Sequence, residues 1–402
     1  MNFPKKVYCR CFQTVFKLAI PLLPYRSPEI LERVQQLPQL LKQQRIQRIL
    51  VVTDGFLHRS GALDALVQTL SAGGIQCSIF VQNTPNPTTE DVAAAKRTYL
   101  HNSCQGLIGF GGGSSIDCAK AVGACIARPK ATIAKLQGIL KVIKPLPYLV
   151  AIPTTAGTGS ETTVTTVITD SKTAHKFPIS AFPLIPRAAV LDPHFTLTLP
   201  KSMTATTGMD ALTHAIEAYI GRSTVKSTRA DALLATKLVA QNLEIAYHNG
   251  SDLTARANML KAAFHGGRAF SKSYVGYCHA VAHSLGGMYH TPHGLANAVL
   301  LPYTLEAYGS TIDKKAKDLA IAMGIAQEQT PADEARVRLI RHIRDMNARM
   351  GIPSKLTGIR PEDIPKMATF ADREANPLYP VPVLMDKKQL ERLYLAVMEE
   401  TP

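Results

Sequence analysis

Residues 107–120 read LIGFGGGSSIDCAK. The apolar run 107–110 predicts a buried β-strand, and the segment that follows Gly113 predicts a helix. Glycines at such a junction let the backbone approach a pyrophosphate, while the first free N–H groups of the helix and its dipole favour negative charge. This context indicates a phosphate site. Because the spacing departs from G-x-G-x-x-G, a plain tight turn is the alternative interpretation.

Short β-rich runs alternate with helical patterns from Pro28 to about Phe195. This alternation is typical of an open, doubly wound α/β sheet. Thr and Val alternate over 162–168 and lead into the turn-like segment 169–172, which predicts an inserted hairpin. The predicted strands of the sheet are 48–53, 77–81, 106–110, 148–152 and 188–191.

The pattern changes after Phe195, where apolar residues recur at helical spacing. The clearest predicted helices are 205–219, 229–247, 253–270, 311–323 and 333–350. We therefore predict an N-terminal arm (1–27), an α/β dinucleotide-binding domain (28–197) and an all-α metal- and substrate-binding domain (198–402).

Composition excludes some classes of protein. The formal charge of +15 would suit nucleic-acid binding. The cations are spread along the chain, however, aromatic residues make up only 6%, and no nucleic-acid motif accompanies them. We therefore predict no nucleic-acid partner. Seven cysteines do not suggest a disulfide framework and favour reduced thiols in a cytoplasmic protein.

The N-terminal segment has cations before the apolar stretch 12–23, as a signal peptide does. Lys17 and Pro21 interrupt that stretch, which is too short to span a bilayer and precedes no small-residue cleavage site. We predict an amphipathic arm that packs on a partner subunit and no stable membrane insertion. Weak contact with a membrane surface is the alternative.

A second loop of small residues, 154–161 (TTAGTGSE), follows the predicted strand that ends at Ile152. Open α/β sheets bind ligands at this carboxyl end of their strands. Asp54 ends the first predicted strand, where a carboxylate would bind both ribose hydroxyls and repel a 2′-phosphate, selecting NAD over NADP. An Asp before Gly is equally a turn former.

Histidines and one aspartate form a candidate metal site. Asp210 and His214 share one face of a predicted helix, and His279 and His283 show the same spacing. His293 follows closely. One carboxylate and several imidazoles suit Fe²⁺ or Zn²⁺ with an open position for substrate. Spacing alone does not separate His279 from His283, and isolated structural histidines are the alternative.

These motifs resemble the iron-containing (group III) alcohol dehydrogenases, a family that includes lactaldehyde reductase and butanol dehydrogenases. The resemblance extends over about 48–302. It is carried by the segments 84–88 (TPNPT), 111–117, 153–161, 208–217 (GMDALTHAIE) and 279–294.

The resemblance implies a metal bound by Asp210, His214, His279 and His293, with His283 beside the cofactor. It implies a homodimer, NAD as cofactor and Fe²⁺ or Zn²⁺ as the ion. It also implies NAD contacts, to which we add Asp117 and Thr158 of the two loops. The resulting cofactor-binding candidates are Asp54, Asn86, Gly112, Gly113, Ser114, Asp117, Thr154, Thr155, Thr158, Thr163 and Lys176.

The expected activity is metal-dependent, NAD-linked interconversion of a small or medium primary alcohol and its aldehyde. The cation would act as a Lewis acid on the substrate oxygen, and His283 would either relay a proton to solvent or only orient the site. A lyase of the dehydroquinate synthase type is one alternative, but it needs basic residues for a phosphorylated substrate, and 203–220 has none besides His214. A non-catalytic relative is disfavoured because all four ligands are present.

Overall fold

The computed structural model describes residues 1, 3–173 and 175–399. The chain divides into two compact units. Pro24–Leu199 form one unit, and Met1–Leu23 join the residues from Pro200 onward in the other. Helix α1 (Phe3–Ala19) therefore belongs to the second unit.

The unit Pro24–Leu199 contains a six-stranded sheet and a three-stranded sheet in the described part of the chain. The strands are β1 (Glu29–Leu31), β2 (Arg48–Val52), β3 (Gln76–Phe80), β4 (Gly106–Gly111), β5 (Gly138–Ile139), β6 (Tyr148–Pro153), β7 (Thr165–Thr169), β8 (Lys176–Ser180) and β9 (Ala188–Val190). The helices are α2 (Leu37–Gln43), α3 (Gly55–Arg59), α4 (Asp64–Ala72), α5 (Thr89–His101) and α6 (Gly113–Ala127).

The larger sheet is parallel throughout, in the order β1-β9-β6-β4-β2-β3. Its central strands are apolar on both faces because helices cover both. Leu50 and Val52 of β2 pack in one core with residues of α5 and α6, whereas Ile49 and Val51 pack in another with residues of α2 and α4. The doubly wound α/β fold is confirmed.

The chain passes from β2 to β3 on one side and returns to β4 on the other side of β2. The strand order therefore reverses between β2 and β4, and ligands bind such sheets at the carboxyl ends of the strands beside the reversal. Gly111–Gly113 lie directly at the end of β4.

The inserted hairpin forms as the antiparallel pair β7–β8, which β5 extends to three strands. Its first strand begins at Thr165, later than the predicted 162, because Ser160–Thr162 form a single turn of 3₁₀ helix. Strand β1 escaped prediction. It is a three-residue edge strand with Glu29 and Ile30 exposed, too short for an alternating pattern.

The second unit is helical from Pro200 onward, as expected. Its helices are α7 (Lys201–Ile220), α8 (Lys226–His248), α9 (Leu253–Ser273), α10 (Tyr277–Tyr289), α11 (His293–Tyr308), α12 (Asp313–Ala322), α13 (Ala332–Arg349), α14 (Ile364–Ala375) and α15 (Lys387–Val397). Helix α7 packs against α8, α9 and α11, and it is buried almost all round from Gly208 to Ile220.

Helix α1 packs on residues near the C-terminal end of its own chain. Arg10 donates through Nη1 and Nη2 to the carbonyls of Val381 and Pro382, at 2.7 and 2.9 Å. Buried Gln13 donates to the carbonyl of Tyr379 at 2.8 Å. Packing of this arm on a partner subunit stays a prediction. Over the described residues, every helix is too short or too polar to cross a bilayer.

Candidate metal centre and dinucleotide-binding loops

Three helices of the second unit bring the predicted metal ligands together. Asp210 and His214 lie one turn apart on α7, His279 lies in the first turn of α10, and His293 begins α11. One ligand atom from each lies within 4.8 Å of all the others. Oδ1 of Asp210 is 3.7 Å from Nε2 of His279 and 3.5 Å from Nε2 of His293, and Oδ2 is 4.0 Å from Nδ1 of His214.

A glycine lets helices α11 and α7 approach each other closely. Gly294 follows His293 at the start of α11, and a Cβ at this position would lie 2.5 Å from the carbonyl oxygen of Thr206 on α7. The ring of His214 lies between those of Phe270 and His279, with centroids 4.1 and 4.5 Å away. The backbone and the apolar contact thus fix the ligand positions before any ion binds.

The donor set fits a divalent cation. Nε2 of His279 is buried and makes no hydrogen bond to any residue that the structure describes, although Asp210 lies near it. A buried nitrogen in this state carries a desolvation cost that a metal bond would remove. The imidazole of His293 is 40% exposed, so the centre is open on its side. Three imidazoles, one carboxylate and an open side are the arrangement of a catalytic Fe²⁺ or Zn²⁺ site.

Two polar residues that we did not predict hold the ligands. Glu217 accepts from Nδ1 of His279 at 2.6 Å and from the backbone N–H groups of Gly276 and Cys278 at 2.8 and 2.9 Å. Asn297 donates to Oδ1 of Asp210 at 2.7 Å. Glu217 is seven residues after Asp210 on α7, and Asn297 is four after His293 on α11. Helical spacing could therefore have identified both.

The electrostatics of the cluster also suit a cation. Burial by itself would raise the pKa of Asp210, but the imidazoles of His214, His293 and His279 hold it below its ordinary value. Burial would lower the pKa of His279, yet its contacts with Asp210 and Glu217 raise it to about 9. Two carboxylates thus create a negative potential at the centre that favours positive charge.

Replacing Glu217 with glutamine is expected to weaken metal affinity by about 10- to 100-fold, because the amide loses the charge that orients His279 and raises its basicity. The shape of the side chain and the packing are kept. Competition with a fluorescent chelator measures the affinity. A matched variant, Glu244→Gln on α8, should bind metal as the wild type does, and equal affinity in Glu217→Gln would refute the positioning role.

His283 lies one turn beyond His279 on α10 and outside the ligand cluster. Its ring stacks on that of His293 at 5.2 Å, and its Nδ1 is 2.6 Å from Oε1 of Glu374. Tyr379 donates to the same oxygen at 2.6 Å. The side chain is 42% exposed, so one edge of the imidazole reaches solvent beside the metal cluster.

In the other unit, the two small-residue loops lie side by side. Gly111 has φ +144°, and a Cβ there would lie 2.6 Å from Oγ of Ser115, so only glycine fits. The N–H of Thr154 donates to the carbonyl of Gly111 at 3.0 Å. A Cβ at Gly112 would meet Thr155 at 3.5 Å, and one at Gly113 would meet Thr158 at 3.0 Å. Within the described residues no side chain caps α6, so its first N–H groups are available to a phosphate.

Two of the predicted cofactor residues also have hydrogen-bond partners within the protein. The half-buried carboxylate of Asp117 accepts from Oγ of Ser160 at 2.6 Å and from the N–H of Val167 at 2.9 Å. Lys120, which is fully buried, donates to Oγ1 of Thr163 at 2.7 Å and to its carbonyl at 3.0 Å. Asp117 and Thr163 therefore hold the second loop and the hairpin in place, which spacing could not distinguish from cofactor contact.

The remaining candidates with side chains lie on loops after β2 and β3 and at the starts of α6 and β8. Oδ1 of Asp54 accepts from the N–H of Leu57 at 2.9 Å and caps α3, so the turn-forming role is real. Lys176 donates to Oδ1 of Asn86 at 2.7 Å. Ser114 donates to the carbonyl of Pro85. These bonds tie the segment 84–88 to the start of α6 and to the hairpin.

Comparison with known proteins gives a consistent family. Residues 31–193 match the model described as iron-containing alcohol dehydrogenase, and 204–398 match its C-terminal counterpart, the Fe-containing alcohol dehydrogenase family, C-terminal. The chain is 36% identical to a 1,3-propanediol dehydrogenase of Klebsiella pneumoniae. The alignment extends over 366 residues and covers 90% of this chain and 94% of that relative.

Comparison with solved structures indicates the same family. A crystal structure of a 1,3-propanediol oxidoreductase matches with a TM-score of 0.89 at 33% identity, covering 93% of this chain and 98% of the other. Sulfoacetaldehyde reductase from Bifidobacterium kashiwanohense, solved in complex with NAD⁺, matches with a TM-score of 0.82 at 27% identity over 93% and 98% of the two chains.

Proposed function

Since this chain belongs to the iron-containing alcohol dehydrogenase family, we propose that Asp210, His214, His279 and His293 hold the catalytic metal. The protein is an NAD-linked oxidoreductase that interconverts an alcohol and its aldehyde, with iron as the family's metal. The convergence of four ligand atoms within 4.8 Å supports the site. Zn²⁺ is the alternative occupant, because affinity order alone does not enforce iron.

When bound, the cation supplies Lewis acidity toward the alcohol or aldehyde oxygen, and the nicotinamide accepts or donates the hydride. Asp210 contributes the one anionic ligand, which leaves net positive charge for the substrate oxygen. Glu217 fixes the orientation of His279. The exposed side of His293 is where we propose that substrate enters.

We propose that the N-terminus of α6 and the loop 154–161 bind the pyrophosphate of NAD. The uncapped helix end and the close approach of Thr154, Thr155 and Thr158 to the glycines support this. Asn86, Ser114 and Lys176 line the neighbouring segment, and Asp54 selects NAD over NADP through its charge. Asp117 and Thr163 act indirectly, by positioning the loops.

Replacing Asp54 with serine is expected to reduce discrimination against NADP by about tenfold or more, because the charge that repels a 2′-phosphate is lost. Serine keeps an oxygen for the cap of α3, so stability should hardly change. Steady-state kinetics with both cofactors measure the ratio of kcat/KM. An unchanged ratio in a stable variant would show that Asp54 serves only as a cap.

We propose His283 as the catalytic residue that passes the alcohol proton to solvent, supported by its exposed edge and its contact with His293. His283→Gln is expected to lower kcat by about 10²-fold while metal content stays at the wild-type level. Metal analysis and steady-state kinetics on the same sample separate the two effects. Loss of metal, or an unchanged kcat, would contradict the assignment.

The substrate we propose is a small or medium primary alcohol, in line with the 1,3-propanediol named for a relative. The test is NADH absorbance with a panel of primary alcohols of increasing length, and with the corresponding aldehydes in reverse. Net NADH formation with short alcohols supports the proposal. Absence of net turnover with the whole panel in metal-loaded enzyme would contradict it.

We further propose that the enzyme works in the cytoplasm as a homodimer. The cysteines that the structure describes are all free, which suits a reducing compartment. The dimer is proposed from the family resemblance, and light scattering of the purified protein tests it.

A further inference from the structure

Helix α1 packs on its own unit through a narrow stripe. Cys9 and Gln13 are buried on the helix, and Ile20 just beyond it continues the stripe. The ring of Phe16 contacts that of Tyr274 at 5.0 Å. These positions recur three or four residues apart, so one side of the helix faces the protein and the other faces solvent.

The solvent side is apolar. Val7, Val15 and Leu18 fall within about 80° of one another at 100° per residue, opposite the packed stripe, and Leu22 follows in the 3₁₀ turn Ile20–Leu22. Leu18 and Leu22 are 71% and 86% exposed. Large apolar side chains also flank them, and the exposed set in this segment is Phe3, Val7, Tyr8, Phe12, Val15, Leu18 and Leu22. A contiguous patch of this kind marks an interaction surface.

We propose that this face of α1 binds peripherally to the surface of a membrane that contains anionic phospholipid. The apolar side chains would enter the boundary between headgroups and acyl chains, and the cations beside them would contact lipid phosphates. This interaction is independent of the alcohol dehydrogenase activity.

The positive charge of α1 favours an anionic membrane surface as the binding partner. Helix α1 carries Lys5, Lys6, Arg10 and Lys17, and no Asp or Glu precedes Glu29 in the sequence. Arg10 and Lys5 bind groups of their own chain, whereas Lys6 and Lys17 are exposed beside the apolar strip. Other cations add to the positive potential near Lys17. Burial, together with the charges of Lys17, Arg229 and Arg222, lowers the pKa of Lys315 to about 8. An apolar strip bordered by cations is the pattern of interfacial helices on anionic membranes.

A second copy of the chain is a poorer occupant of the same face. Two α1 helices packed face to face would bring the exposed Lys6 and Lys17 of each copy together, and α1 has no carboxylate to pair with them. Asp372 and Asp386, two acids near the segment, already bind Lys5 and the N-terminal amine of their own chain at 2.8 and 2.7 Å. Like charges at such an interface oppose association, whereas anionic lipid neutralises them.

Co-sedimentation of the full-length enzyme with vesicles tests the proposal. Binding to vesicles of phosphatidylcholine with phosphatidylglycerol should be at least about tenfold stronger than to phosphatidylcholine alone, and added salt should weaken it. The double variant Leu18→Gln/Leu22→Gln should bind about tenfold more weakly or worse, because it loses apolar burial. Val337→Gln, at an exposed apolar position on α13, is the matched control and should bind normally.

Alcohol oxidation should be unchanged in all these variants, which confirms that they are folded. If the double variant loses its fold, Lys6→Gln/Lys17→Gln replaces it, with the same expected loss on anionic vesicles. Equal sedimentation with and without vesicles would overturn the proposal. So would a double variant that binds vesicles normally but forms a smaller oligomer by light scattering, since a second copy would then cover the face.

Discussion

Asp210→Asn is expected to lower kcat for alcohol oxidation by about a thousandfold or more. The asparagine keeps the shape of the side chain but removes the only carboxylate of the four proposed ligands. Lewis-acid stabilisation contributes several kcal/mol, and each 1.36 kcal/mol is about tenfold in rate. The variant should also retain little metal after dialysis.

The measurement combines NADH kinetics with metal analysis of the same protein. Asp313→Asn is a suitable control, because Asp313 is also in the helical unit but pairs with Arg336 at 2.7 Å and is not among the four clustered side chains. The control should keep both metal and activity. If Asp210→Asn retains the wild-type metal content and rate, Asp210 is no ligand and the proposed centre is wrong.

Gly112→Ala is expected to raise KM for NAD by about 10- to 100-fold without destabilising the protein. Gly112 has φ −71°, which any residue adopts, and a Cβ there would make an ordinary 3.5 Å contact with Thr155. The added methyl group would instead occupy the space between the two loops where we place the pyrophosphate. An overpacking cost of about 1–3 kcal/mol gives this range of affinity loss.

Steady-state kinetics with NAD as the varied substrate and thermal melting test this prediction together. KM for the alcohol serves as the internal control and should stay near the wild-type value. A variant with normal melting and normal NAD affinity would show that the cofactor does not approach Gly112.

Local patterns were sufficient for most of the architecture. The central strands of the large sheet are continuous apolar runs, and the long helices of the second unit repeat apolar residues at helical spacing, so the α/β and all-α parts could be predicted. Strand β1 could not, because its three residues take their conformation from pairing with β9, which lies far along the chain.

The residues of the candidate site also divide into those with a local sequence signal and those without one. Asp210 and His214 share a helix face, so spacing predicts their pairing, but nothing local brings His279 and His293 to them. The resemblance supplied that grouping, and the structure brings the four side chains together. Glu374 contacts His283 across 91 positions in the sequence, and Asp117 contacts Ser160 and Val167 across 43 and 50 positions. Such partners depend on tertiary packing and have no local signal.

Removal and replacement of the metal tests the central claim most directly. The enzyme is dialysed against a chelator until elemental analysis shows no metal, assayed with a primary alcohol and NAD, and then reloaded with Fe²⁺ without oxygen. We expect NADH formation to fall by about a thousandfold and to return when Fe²⁺ approaches one ion per chain. Undiminished NADH formation by the metal-free protein would contradict the account.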